Sequence, residues 1–235
     1  MTTLSPIRHT TVGIGTAFER HALSFLTTSM SMSLRRVGGA NDGGVDLRGW
    51  WYIPRETYGN AERVSSPEDD SRRLRVMVQC KAEKKSVGPR AIRELEGVIA
   101  QLNYRREQAP TETAIAILIS QSGFTRNAML HATQSNTPLM LLHLPGGQPE
   151  DASQPSASTK GDRNPAAANE YHDMTTAESA WWNRALSHKV LNGKIELRRE
   201  MLAGKDGMMT SVGLWMDGKR IPRYVSNSAD ISKDL

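Results

Sequence analysis

The chain has 235 residues, enough for one domain of the usual roughly 100–200 residues and an appendage. Only 38% of them are hydrophobic, so a core forms only if part of the chain stays outside it. Lys and Arg number 30 against 25 Asp and Glu, a formal charge of +5, which suits a polyanionic partner such as nucleic acid without selecting one.

The single cysteine, Cys80, excludes an internal disulfide and a cysteine-based zinc cluster, and agrees with a reducing compartment. No apolar run approaches the roughly 20 residues that span a bilayer, so a soluble protein without a membrane span is expected. Residues 1–12 read as a short N-terminal extension. It carries Arg8 and His9 among Ser and Thr, with no acid before Glu19, a faint presequence feature. Because helical periodicity begins near residue 13, little is left to cleave.

From Gly13 to about Met30, Phe18, Ala22, Phe25 and Leu26 recur at helical spacing and predict a first helix. Ser33 to Val37 reads as a short strand stopped by Gly38 and Gly39. A second strand is expected from Val45 through Trp51 to Ile53, where Val, Trp and Tyr favour a pleated surface. Residues 54–71 are rich in Pro, Gly, Ser and charge and read as a long loop. In the following "LRVMVQCK", Leu74, Val76, Val78 and Cys80 share one face and Met77, Gln79 and Lys81 the other. Two strands joined this way are expected to pair antiparallel.

Pro89 suits a first helical turn, with Ile92, Leu95, Ile99 and Leu102 as the apolar stripe. "TAIAILIS" (113–120) is the continuous apolar run of a strand covered on both faces. Residues 124–135 read as a helix, and "PLMLLHL", ending at Leu144, as a last buried strand. The order is therefore α-β-β-β-α-β-α-β, an α/β domain over 13–144 with helices on the faces of its sheet.

Residues 145 to about 172 contain no Val, Ile, Leu, Met, Phe or Trp, and a disordered linker is expected over 145–175. A small C-terminal α+β extension (176–235) is expected to place Trp181, Trp182, Leu186, Val190 and Leu191 on a helix. Two strands, "GKIELRREML" and "VGLWMDGKRI", then follow, with Asp217-Gly218 as a turn signal.

One constellation has chemical content. Asp46 follows a glycine-rich bend, "NDGGVD", at the start of the second strand, and Gln79 and Lys81 share a face of the third. If the register opposes their ends, an acid, an amide and an ammonium converge at one sheet edge. Phosphodiester hydrolysis asks for such a set: a hard oxygen ligand for Mg2+, here Asp46 with the backbone carbonyl of Cys80, and a cation, here Lys81, to position water and stabilise developing charge.

Each residue also has an ordinary reading. Asp46 and Asp42 suit turns as they stand, Gln79 and Lys81 suit a solvated sheet face, and Cys80 suits a small buried apolar position rather than a nucleophile. His131 and His143 lie on expected core elements and read as structural. Trp50 and Trp51 point to opposite faces, so at most one is free to stack on a base. Lys84, Lys85, Arg90 and Arg93 follow the candidate site and suit either a phosphate backbone or a solvated helix start.

An acid, a variable gap, then an acid or Gln, any residue and Lys resembles the signature of restriction-endonuclease-like nucleases. "GGANDGGVDLRG" with "VQCKAE" looks like their Mrr-type branch. "NDGGVDLRGWWYIP", "VQCKAEKKSVGPRAIRELEGV" and the C-terminal Trp-Asn segment together resemble the fungal mitochondrial family called required for respiratory growth protein 7, which contains an Mrr-like domain.

The resemblance implies a restriction-endonuclease-like α-β-β-β-α-β core, a mitochondrial location, DNA as partner and Mg2+ as cofactor. It implies a site at Asp46, Gln79 and Lys81, with Glu19 matching an auxiliary acidic ligand. Gln79 departs from the acid of the broader pattern and removes one negative ligand. RNA presents the same phosphates and stays open as a substrate, as do a homodimer and a binding factor without turnover.

Overall fold

The computed structural model of the protein describes residues 11–37, 44–54, 71–105, 114–145, 177–204 and 207–221. Helix α1 (Thr11–Met30) buries Phe18, Ala22, Phe25, Leu26 and Met30 at the spacing of one helical face. Ser31, at φ +56°, turns the chain out of the helix into strand β1 (Met32–Arg36).

Strand β2 (Leu47–Pro54) pairs antiparallel with β1, Met32 opposite Trp51, and with β3 (Ser71–Lys81), Leu47 opposite Val78. Gly49 lies so close to β1 that a Cβ there would collide with the Ser33 carbonyl oxygen. The expected loop at 54–71 lies outside the described residues apart from its two ends, which belong to these strands.

Helix α2 (Pro89–Arg105) starts at the proline and buries Ile92, Leu95 and Ile99. Strand β4 (Ile115–Ser120) is buried at every position. Helix α3 (Arg126–Gln134) is capped by Thr125, whose hydroxyl accepts from the Ala128 N–H. Strand β5 (Leu139–His143) completes a parallel set β3-β4-β5, in which Lys81, Ser120 and His143 lie side by side at the carboxyl ends.

The sheet has six strands, not five. Strand β6 (Ser179–Trp182) pairs antiparallel with β5, Met140 opposite Trp182, giving the order β1-β2-β3-β4-β5-β6. Two sequence expectations are corrected here: Leu144 does not end the last sheet strand, and Trp181 and Trp182 lie on a strand rather than a helix. Their spacing to Leu186 and Val190 mimics a helix, but two adjacent tryptophans packed into opposite cores need a period of two. The free ladder edge of β5 supplies the backbone partners that hold them extended.

The helix begins only after Asn183, as a short π-helical turn (Ala185–Val190). Strands β7 (Ile195–Gly204), β8 (Gly207–Met216) and β9 (Lys219–Arg220) form a separate antiparallel sheet. The expected two-residue turn joins β8 to β9, with Asp217 at φ +51° and Gly218 at φ +75°.

The sheet separates two apolar clusters. On one side α1 meets Leu47, Trp51, Val76, Val78, Ile117 and Met140, and Leu191, Ile195, Val212, Leu214 and Ile221 of the C-terminal segment join the same cluster. On the other side α2 and α3 cover Met77, Ala116, Leu118 and Leu141. The expected linker over 145–175 lies outside the described residues except at residue 145. No described helix is long and apolar enough to cross a membrane.

Candidate functional site

The bend before β2 places Asp46 against β3. Its N–H donates to the Val78 carbonyl at 2.9 Å, and its Oδ2 accepts from the Cys80 N–H at 2.6 Å. These two bonds bracket Gln79, so the acid lies beside the amide at one sheet edge. Val37 N–H donates to the Asp46 carbonyl at 2.8 Å, so the residue that follows β1 also holds Asp46.

Gln79 is buried, and its Oε1 has no hydrogen-bond partner among the described residues. Gly44, at φ +81°, backs onto the same side chain, and a Cβ there would lie 2.8 Å from Gln79 Nε2. That approach explains why the bend ends in glycine. Lys81 lies two residues further along the strand, half-buried, and its carbonyl accepts from Gln121 N–H at 3.1 Å. Among the described residues its ammonium makes no ion pair.

Glu19 on α1 is engaged by Arg36, whose Nη2 and Nε lie 2.6 and 2.9 Å from its Oε2. Cys80 points to the α1 side. Burial, then the nearby Asp46 and Glu19 carboxylates, push its thiol well above its ordinary pKa, and Arg36 opposes the shift. A thiol so held is a poor nucleophile.

Asp46 carries a carboxylate and Gln79 a buried amide oxygen without a partner among the described residues, both hard oxygens of the kind that a divalent cation takes. Among the described residues no group of three or more His, Cys, Asp or Glu has a metal-holding arrangement. Lys84, Lys85, Arg90 and Arg93 follow β3 around the start of α2. All four are exposed, and Arg90 pairs with Glu94 at 2.8 Å.

The two histidines are tied into the frame. His131 Nε2 lies 2.9 Å from Glu96 Oε2, and Glu96 also accepts from the Ser135 hydroxyl, which joins α2 to the end of α3. His143 lies 3.2 Å from Glu178 through Nδ1 and 3.2 Å from the Gln121 carbonyl through Nε2.

Two features escaped sequence reasoning. Asn183, almost fully buried, accepts from the N–H groups of Leu139 and Leu186 and donates to the carbonyls of Ala132, Ser135 and Thr137. Its place after "WW" was visible, but four of its five partners lie in α3, in the connection from α3 to β5 and in β5 itself. Arg73 and Arg75 stack over Trp50, with guanidinium carbons 4.6 and 5.5 Å from the ring centroid. Their spacing of two along β3 was the available signal.

The fold and this edge define a class: a mixed α/β protein whose central six-stranded sheet gathers an acid, an amide and a lysine where β2 begins and β3 ends. The model of the family described as required for respiratory growth protein 7 matches residues 10–179, and the chain belongs to that family.

A mitochondrial protein of Schizosaccharomyces pombe, named as uncharacterized, is 33% identical over 139 residues, covering 59% of this chain and 47% of its own. Required for respiratory growth protein 7, mitochondrial, of Saccharomyces cerevisiae is 28% identical over 165 residues, 59% of this chain and 67% of its own. Its namesake in Eremothecium gossypii is 30% identical over 160 residues, 59% and 66% respectively. The chain thus spans about half the length of the fission-yeast relative and about two thirds of the others. The expected mitochondrial location is borne out by these names. No solved structure matches.

Proposed function

We propose that this protein binds DNA at the edge formed by β2 and β3 and hydrolyses phosphodiesters there with Mg2+, as an Mrr-type nuclease on a restriction-endonuclease-like core. The observation that carries this reading is the Asp46 carboxylate held on the Cys80 N–H, beside a buried Gln79 whose Oε1 lacks a partner among the described residues. A buried unsatisfied amide oxygen costs on the order of 1–3 kcal/mol, and a cation would relieve that cost.

Asp46 and Gln79 are the residues that would hold the ion. When bound, Mg2+ supplies neutralisation of the scissile phosphate and a water of lowered pKa. Lys81 orients the attacking water and balances the charge that develops on the phosphate. Lys84, Lys85, Arg90 and Arg93 grip the flanking phosphates, which makes binding salt-sensitive. The family's role in respiratory growth, carried in its name, fits maintenance of mitochondrial nucleic acid.

A second reading is favoured by two specific contacts: Asp46 Oδ2 already serves the Cys80 N–H, and Glu19 already serves Arg36. With Gln79 in place of an acid, the negative ligand count is low, as in a binding factor without turnover. Purified protein incubated with supercoiled DNA and structured RNA, in Mg2+, Mn2+ or chelator, separates the readings. Metal-dependent nicking that Asp46→Ala and Lys81→Ala both abolish, with DNA binding intact, establishes the nuclease. No metal-dependent product from the wild type, together with DNA binding that variants of the basic face lose, establishes the factor.

A further inference from the structure

We propose that the turn between β4 and α3 is a second arm of the nucleic-acid grip. In it Arg126 holds a backbone phosphate next to those at Lys84 and Lys85, and a reciprocal pair of serines, Ser86 and Ser122, fixes the two arms to each other. This rests on the DNA-binding reading above and adds one contact residue and two positioning residues to it.

Two connections leave the sheet side by side. The one after β3 (82–88) leads into α2 and the one after β4 (121–125) into α3, and Val87 and Phe124 are parallel bridge partners between them. Val87 N–H donates to the Gly123 carbonyl at 2.9 Å, and Thr125 N–H donates to the Val87 carbonyl at 3.0 Å. The serines close the clasp. The Ser86 hydroxyl donates to the Ser122 carbonyl at 3.0 Å, and the Ser122 hydroxyl donates to the Lys85 carbonyl at 2.6 Å.

The turn is braced from the sheet as well. The buried Ser120 hydroxyl donates to the Gly123 carbonyl at 2.8 Å and accepts from Ser122 N–H at 3.2 Å, and Gln121 N–H on the Lys81 carbonyl ties the same turn to the candidate site. The two serine bonds lie at the exposed surface, where water competes for both partners and each adds only modestly to folding. Their main effect is to fix the backbone from which Lys84 and Lys85 project.

Charge selects the kind of partner. Lys84, Lys85, Arg93 and Arg126 are exposed, and none of the four makes an ion pair among the described residues. Arg90 holds Glu94, which leaves Glu83 as the one acid of this rim without an ion pair among the described residues and an excess of three positive charges. Cations fixed close together repel one another, and a polyanion relieves that repulsion. Two residues past the bridge on each chain stand Pro89, the first residue of α2, and Arg126, the first of α3. Arg126 therefore carries the basic start of α2 across to its neighbouring helix. Holding the contact groups in place before the strand arrives lowers the ordering cost of binding.

The test uses the full chain in chelator, so that no cleavage intervenes, and follows the anisotropy of a labelled DNA duplex as salt is raised. Arg126→Gln should weaken binding and flatten its salt dependence by about one phosphate contact, as Lys85→Gln should. Lys219→Gln, which removes an exposed cation of the second sheet, should leave both unchanged. Ser122→Ala should weaken binding by about three- to ten-fold at an unchanged melting temperature, the scale of one long side chain left to be ordered by the ligand, and Ser122→Thr should restore most of it.

If Ser122→Ala melts below the wild type, Arg126→Gln carries the decision, since that side chain has no partner among the described residues to lose. Unchanged affinity and salt dependence in Arg126→Gln, with both reduced in Lys84→Gln and Lys85→Gln, overturns the proposal and leaves the DNA-binding reading standing. A folded Ser122→Ala that binds as the wild type does overturns the positioning role of the serines. A wild type that binds no duplex overturns the DNA-binding reading and this proposal together, whereas the absence of metal-dependent product overturns cleavage alone.

Discussion

Asp46 accepts a hydrogen bond from the Cys80 backbone at 2.6 Å through Oδ2, so one carboxylate continues the β2–β3 ladder past the end of its own strand. The side chain is therefore structural before it is anything else, and its two roles separate by substitution. Asp46→Ala strands the Cys80 N–H and should cost about 1–2 kcal/mol in urea unfolding. Asp46→Asn keeps an acceptor and should stay within about 0.5 kcal/mol of the wild type, yet lose metal-dependent cleavage as fully as Asp46→Ala does.

The Cys80 thiol reports on the same carboxylate. Its raised pKa means that the neutral form is favoured in the folded state. The associated stability is fully present below the unfolded value of about 8.5 and lost as pH rises toward the folded value. Alkylation at mildly alkaline pH should be at least about ten-fold slower in native than in unfolded protein. Because Asp46 raises the pKa, Asp46→Asn should lower it and speed native alkylation; a slower rate would contradict the stated cause.

Gly44 has little room for a side chain. At φ +81° with a Cβ 2.8 Å from Gln79 Nε2, Gly44→Ala combines backbone strain with a clash against a buried amide. A loss of about 1–3 kcal/mol is expected, with cleavage falling further than stability because Gln79 must move. Equal folded fraction and equal cleavage in the variant would show that the bend is not matched to Gln79.

Asn183 joins the segment after β6 to the frame. Asn183→Ala strands two N–H groups and leaves three carbonyls without its amide, and a loss of about 2–5 kcal/mol is expected by chemical denaturation. Asn183→Asp preserves the acceptor, removes the donors and places a buried carboxylate before the carbonyls, so it should be no better than Ala.

Glu19 offers a check on the auxiliary ligand that the family resemblance implies. Its bond to Arg36 is partly exposed, so Glu19→Gln should cost less than about 1 kcal/mol. A cleavage rate unchanged within a factor of two or so would make the residue a partner of Arg36 alone; a large loss at near-native stability would make it a ligand.

Local pattern dictated much of this protein. The period of 3.6 in α1 and α2, the all-apolar β4 and the alternation of β3 are each the imprint of a neighbour that buries one face or both, so they are legible residue by residue. The Asp217-Gly218 turn is equally local, because its backbone demands positive φ. The candidate triad Asp46, Gln79 and Lys81 was legible as spacing, since strand parity places Gln79 and Lys81 on one face.

Tertiary structure alone decided what lies between distant segments. Nothing in "SAWW" states that β5 has an unpaired edge, yet that edge turns a helical-looking spacing into β6. Nothing around Asn183 states that five backbone groups, in α3, the α3–β5 connection, β5 and the turn after β6, will need its amide. The register of β2 on β3 set Asp46 on the Cys80 N–H and Trp50 under two arginines, because hydrogen-bond pairing across strands is a property of both chains of residues and is written in neither.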